Sequence, residues 1–170
     1  MPASPPQLPD QAFAAVDPGS GNRSAGSPTM DSSFVGILIN APEKVVYTPG
    51  TRDPVSGAFA RFIICGAYRL DGWELYQLGG FRGGAKLVAT DADHHDVFAD
   101  KMQPPHPMEP QPNPPKWTEQ DFAGQTEQGY FNENLLDFLH LPERPGRYDV
   151  FVTFGPHQSN VVTVTLEAAK

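Results

Sequence analysis

Residues 146–166 restrict the fold more than any other stretch of the chain. Tyr148, Val150, Val152 and Phe154 alternate with Asp149, Phe151 and Thr153, and Val162, Val164 and Leu166 alternate with Val161, Thr163, Thr165 and Glu167. A period of two puts successive side chains on opposite faces of a pleated strand, so each run reads as a half-buried strand rather than a helix. Gly155-Pro156-His157-Gln158 places turn-forming residues where the chain must reverse. The two runs therefore read as the closing hairpin of an antiparallel sheet.

The same rhythm recurs upstream. Phe34–Ile39 is a short apolar run ended by Asn40-Ala41-Pro42, and Lys44–Thr48 is a second, ended by Pro49-Gly50. Proline lacks the amide proton a ladder needs, so both runs stop there. Between Ala58 and Leu70, Phe62, Ile64, Tyr68 and Leu70 share one face, while Ile63, Cys65 and Ala67 share the other. Apolar residues on both faces predict a central strand covered on both sides. Asp71-Gly72 is a hairpin signal that makes Trp73–Leu78 the returning strand, with Gly79–Gly84 a loose loop. That loop lacks the Lys-Ser/Thr of a phosphate-binding loop.

Lys86–Thr90 and Asp96–Ala99 are two further strands, and Tyr130-Phe131 opens another. Leu135, Phe138 and Leu139 sit at i, i+3 and i+4, which predicts a single helical turn stopped before Pro142. About seven to eight short strands separated by turn signals indicate an all-β antiparallel sandwich. The absence of a βαβ rhythm predicts no parallel sheet, and no fixed repeat points to a solenoid or propeller.

Composition supports one domain with extensions. The 170 residues are 39% apolar, yet they include 19 prolines and 16 glycines, which favours short strands and much loop over a helical bundle. Residues 1–32 read as a Pro/Ser/Gly-rich tail and residues 33–168 as the sandwich domain, interrupted by an insertion at 101–128. Within the insertion, Met102–Pro115 is proline-rich and predicts an extended, polyproline II-like loop. The tail carries one apolar patch, Phe13-Ala14-Ala15-Val16, and a glycosylation sequon, Asn22-Arg23-Ser24.

A formal charge of −8 disfavours nucleic acid and anionic lipid as partners. No apolar stretch approaches the roughly 18 residues of a membrane span. Cys65 is the single cysteine, so an intramolecular disulfide is impossible, and its apolar neighbours make it a buried small hydrophobe. The residues after Met1 form neither a basic nor an apolar leader region. A native start at Met1 would place the protein in the cytoplasm; a removed leader would leave an extracytoplasmic compartment open.

Leu141-Pro142-Glu143-Arg144-Pro145-Gly146-Arg147-Tyr148 resembles the corner before the penultimate strand of immunoglobulin-like and fibronectin-III-like domains. The resemblance implies a sandwich of that kind, with Tyr148 bonding back to nearby backbone as a lock and Gly146 leading into the corner. The cysteine pair of true immunoglobulin domains is missing. The likeness is one of fold and implies no function.

Chemistry-bearing residues cluster at Asp91-Ala92-Asp93-His94-His95-Asp96 and at His106-Pro107-Met108. Imidazole with thioether suits copper and imidazole with carboxylate suits zinc, so His94, His95, His106 and Met108 form one candidate metal set. His106-Pro107-Met108 resembles the His-x-Met element of periplasmic copper chaperones, which are also β-sandwiches. Asp91, Asp93 and Asp96 are a calcium alternative, and a plain polar hairpin turn is the structural one. None of the sequence patterns of hydrolases, zinc proteases or nucleotide-binding enzymes occurs, so the chain reads as a non-enzyme without a cofactor. The leading expectation is a module that binds a protein partner or assembles with itself through its tail and proline-rich loop, with Phe13, Val16 and Trp117 as contacts. A metal-handling sandwich is the alternative, and a protease inhibitor presenting residues 101–116 as bait is a third.

Overall fold

The computed structural model describes residues 2–102, 113 and 115–170. His106, Met108 and most of the proline-rich stretch lie outside the described residues. The described chain is mostly β and forms two sheets, one of three strands and one of six.

The smaller sheet contains β1 (Gly36–Asn40), β3 (Ile63–Asp71) and β6 (Thr126–Asn134), with β3 in the middle and both pairings antiparallel. The larger runs β2 (Lys44–Tyr47), β9 (Val162–Ala168), β7 (Gly146–Phe154), β4 (Ala85–Asp91) and β5 (Val97–Lys101), and the two-residue β8 (His157–Gln158) pairs with the end of β7. Ile37, Ile39, Ile64 and Leu70 from the smaller sheet join Leu87, Tyr148, Val150, Val152, Phe154, Val164 and Leu166 from the larger in one core. The alternation expected of β7 and β9 is thus the alternation of burial.

One pairing departs from the antiparallel expectation. β2 runs parallel to β9, with Lys44 opposite Thr165 and Tyr47 opposite Ala168. No crossover helix is needed, because the whole domain lies between the two strands and acts as the connection.

The second departure is at Asp71. The expected hairpin and returning strand are instead α1 (Gly72–Gln77). The Asp71 carboxylate accepts from the amides of Trp73 at 2.9 Å and Glu74 at 3.1 Å. An aspartate that caps two free amides starts a helix, and here that outweighs the Asp-Gly turn preference. Positive φ at Gly79 and Gly80 ends the segment, as only glycine readily allows. A one-turn helix, α2 (Phe81–Gly84), follows and inserts Phe81 into the core.

The outer face of β3 is also covered, as its sequence requires. Phe13 and Val16 pack on Ile63 and Cys65 as a second apolar cluster. Residues 19–20 add backbone pairing to β6, through Gly19 N–H to Asn132 O and Asn132 N–H to Ser20 O. Asn132 is buried, donates from its carboxamide to the carbonyls of Ser20 and Asn22, and accepts from the Ser24 hydroxyl. Arg61 holds the Val16 carbonyl at 2.8 Å and Arg82 the Gly19 carbonyl at 3.2 Å. Burial raises the Cys65 thiol to about 11, so it stays protonated and unreactive at neutral pH.

Among the described residues, no helix is long and apolar enough to cross a membrane.

Candidate functional site

The strand order brings three connections to one end of the sandwich. β3 ends there and hands over to α1 and α2; β5 ends there at Lys101; and the β7–β8 turn closes there, since Ala85 stands opposite Phe154. The segment before β6 returns to the same end, because Thr126 stands opposite Asp71.

Four aromatic rings meet at this end. Within α1, Trp73 and Tyr76 are three residues apart, which places them on one helix face, and their ring centroids lie 5.5 Å apart. Phe122 stacks on Tyr76 at 5.2 Å and leans on Trp73 at 5.8 Å. Trp117 meets Phe122 edge to face at 6.3 Å. These separations are those of favourable aromatic pairs.

Local chemistry fixes each ring. A one-turn 3-10 helix, Glu119–Phe122, begins where Thr118 donates its amide and its hydroxyl to the Asp121 carboxylate at 2.7 and 2.8 Å. Those two bonds hold the Asp121 carboxyl below its ordinary value. The Gly72 amide then donates to the Gln125 carbonyl at 3.0 Å, which ties this turn to the start of α1. A Cβ on Gly72 would come within 3.2 Å of the Phe122 ring, so the glycine lets the ring lie against the backbone. On the far side of α1, Glu74 pairs with His157 at 2.7 Å and links the helix to the β7–β8 turn.

The rings are not consumed by this packing. Trp117 is 49% exposed, Tyr76 44% and the adjoining Leu78 41%. The indole N–H groups of Trp73 and Trp117 and the Tyr76 hydroxyl have no hydrogen-bond partner among the described residues. The result is a cluster of stacked and edge-packed rings in which Tyr76 and Trp117, with Leu78 beside them, are exposed and Trp73 and Phe122 are half-buried.

The acidic turn lies at the opposite end and is internally satisfied. The Asp91 carboxylate is fully buried and accepts from the amides of Asp93 and His94, from His94 Nδ1 at 3.0 Å and from Arg144 at 3.0 Å. Burial by itself would raise this carboxyl, but Arg144 and the amides outweigh it and hold it well below the carboxylate range. Arg144 also reaches Asp96 at 3.6 Å. The guanidinium thus stands where a cation bridging Asp91 and Asp96 would have to sit. Asp93 contributes only its amide to this arrangement. His95, next in the turn, takes a left-handed backbone at φ 61°. Among the described residues, no three histidine, cysteine or acidic side chains converge as a metal site.

Tyr148 differs from the role its resemblance implies. Its ring is fully buried, but its hydroxyl finds no hydrogen-bond partner among the described residues, and neither does the Nε of neighbouring Arg144. The corner is locked by the Arg144–Asp91 pair rather than by a tyrosine–backbone bond. The ring folds back over Gly146, where an added Cβ would meet it at 3.4 Å, an ordinary contact.

The other candidates separate. Phe13 and Val16 are buried against the chain's own β3, so their apolar surface is used within the domain. Trp117 alone among the expected contacts is exposed, and the fold joins it to Trp73, Tyr76 and Phe122. The i, i+3 spacing of Trp73 and Tyr76 after a capping aspartate was the available signal for half of this cluster. Comparisons with protein-family models, with curated proteins and with solved structures each return no match.

Proposed function

We propose that this protein is a non-catalytic binding module of immunoglobulin-like type that contacts a protein partner through the aromatic surface at the α1 end. The observation that carries this reading is a set of four aromatic rings in mutual contact, drawn from separate segments of the chain, of which Tyr76 and Trp117 are exposed to solvent. Contiguous exposed apolar side chains mark contact sites, and tryptophan and tyrosine are enriched among the residues that dominate their energetics.

Strand order supports the immunoglobulin-like reading. β3 pairs with β6 as strand B pairs with E, while β9-β7-β4-β5 follow the order G-F-C-C′. On that mapping the aromatic surface lies where the B–C and F–G connections meet, the end that variable domains use for recognition. The reading rests on the surface itself, with the mapping as an analogy of fold.

The test is a peptide-display selection against the intact protein and against the double variant Tyr76→Ala, Trp117→Ala. Peptides retained by the intact protein and lost by a folded double variant are the expected result. If no peptide is retained, or both proteins retain the same set, the reading fails.

A further inference from the structure

We infer that the cleft where the N-terminal tail crosses the edge formed by β1, β2 and β9 is a binding site for a short zwitterionic peptide of dipeptide size. Its carboxylate would meet Arg147, its ammonium Glu43 and its amide Asn40. The cleft lies towards the acidic-turn end, where the Arg147 carbonyl accepts from the Ala92 amide at 2.8 Å, and it is separate from the aromatic surface and from the reading drawn from it.

The cleft encloses about 460 Å³, within the range of small-molecule sites. Ser4 and Gln7 bring the tail into its lining. The tail is held there by the Ser4 hydroxyl, which reaches the Val161 carbonyl at 3.5 Å, and by the Asp10 carboxylate, which accepts from the Glu43 amide at 2.8 Å.

Asn40, the last residue of β1, also lines the cleft and is 6% exposed. Of the four buried asparagines among the described residues, Asn132, Asn134 and Asn160 bind backbone groups with their carboxamides, whereas the Asn40 side chain has no partner there. A buried amide without a partner is costly, and one that borders a cleft is a place where a ligand can supply the missing bonds. A carboxamide matches one peptide unit, donor to acceptor and acceptor to donor. This chain already uses that pairing: Asn160 holds the N–H and the carbonyl of Ile39 at 2.8 and 3.0 Å. Asn40 can hold a peptide unit brought in from outside in the same way.

The charges argue for a zwitterion. Glu43 and Arg147 are the two charged residues of the lining, and their side chains have no partner among the described residues, each other included. They flank Thr165: Arg147 stands opposite it in the β7–β9 ladder, and the Thr165 amide donates to the Glu43 carbonyl at 2.9 Å on the other side. Their backbones are therefore two strand spacings apart, about 10 Å. An extended dipeptide spans about 7 Å, so it fits between side chains that reach inward from both sides. Arg147 offers a forked cation to a carboxylate, and Glu43 offers acceptors to an ammonium. The neighbouring charges are engaged elsewhere, Lys44 with Glu167 at 3.2 Å and Asp149 with the Thr163 hydroxyl at 2.6 Å. A neutral polyol would leave Glu43 and Arg147 unmatched, and no aromatic ring among the described residues lines the cleft to stack a base.

The experiment titrates the full chain with alanyl-alanine by calorimetry, beside its C-terminal amide, its N-acetyl form, free alanine and sorbitol. Expected are saturable binding of the dipeptide, at least about tenfold weaker binding of each comparison compound, and about tenfold weaker dipeptide binding in Arg147→Gln and in Asn40→Ala. Asn40→Ala strands no buried group, so its thermal midpoint without ligand should equal or exceed that of the natural protein. No saturable signal from the dipeptide overturns the site. Equal binding of a capped form or of sorbitol overturns the zwitterion, and undiminished binding by Asn40→Ala overturns the amide contact. A lowered midpoint in unliganded Asn40→Ala would make the carboxamide a structural group and overturn its role in the site.

Discussion

Asn160 closes the open edge of β1 by pairing with both backbone groups of Ile39. The Ile39 amide donates to Asn160 Oδ1 at 2.8 Å, and Asn160 Nδ2 donates to the Ile39 carbonyl at 3.0 Å. The carboxamide behaves as one residue of a missing neighbouring strand, and it ties the smaller sheet to the link between β8 and β9. Asn134 does the same beside β3, accepting from the Phe62 amide and donating to the Ala60 carbonyl.

Asn160→Ala removes a donor and an acceptor at a site that is 1% exposed. Two buried backbone groups lose their partner, so a loss of about 2–4 kcal/mol is expected in denaturant unfolding. Asn160→Asp keeps the acceptor but sets a buried carboxylate against the Ile39 carbonyl, and should be at least as destabilising as Asn160→Ala at neutral pH. Equal stability of Asn160→Ala and the natural protein would refute the edge-closing role.

Gly66 lies beneath the Phe131 ring, and a Cβ there would overlap the ring outright. Both residues are directly paired across β3 and β6, so neither can retreat without breaking register. Gly66→Ala should cost about 1–3 kcal/mol through overpacking. Gly146→Ala, where the same atom meets only ordinary contacts, is the matched comparison and should be close to neutral in a thermal melt.

Glu133 is buried and paired with Arg82. Burial pushes its carboxyl up to about 7 from an ordinary 4.5, with Arg82 pulling it down and Asp137 adding to the rise. Between those values the folded state binds more protons than the unfolded chain, so stability falls as pH rises from 4.5 towards 7 and is level above. The total is on the order of 3 kcal/mol. Glu133→Gln keeps the shape and removes the titration, and its stability should be flat over that range. A slope unchanged in the variant would assign the effect to another group.

Asp91 has the opposite sign. Its folded carboxyl is held below the unfolded value, so its contribution is present above 3.8 and is lost as pH falls through the folded value. Asp91→Asn should unfold less steeply on acidification than the natural protein and be less stable at neutral pH, because Arg144 would lose its partner. Circular dichroism across an acid titration of both proteins measures this. Identical acid limbs would remove Asp91 from the account.

Much of the sandwich was legible in the chain. The inward side chains of β7 and β9 follow the period-two pattern, and β3 is covered on both faces as its apolar residues require. Trp73–Leu78 was not legible as a helix, because Trp73 and Leu75 fit a strand period while Trp73 and Tyr76 fit a helical one. A side-chain cap at Asp71 decided between them. The parallel pairing of β2 with β9 was equally hidden, since strand direction depends on the path of everything between.

The aromatic surface shows the division most directly. Its residues were visible, but Trp73 and Tyr76 precede β4 while Trp117 and Phe122 follow β5, and nothing local connects them. Periodicity reports which face of a strand is buried, because that depends only on neighbours in sequence. Which polar or aromatic side chains meet depends on where distant segments pass: Asn160 finds Ile39 across 121 positions, and Asp91 finds Arg144 across 53. The sequence alone determined a β-rich chain with alternating strands and an apolar core. The tertiary structure decided that the acidic turn is saturated by an arginine, and that four rings come together at the other end with Tyr76 and Trp117 exposed.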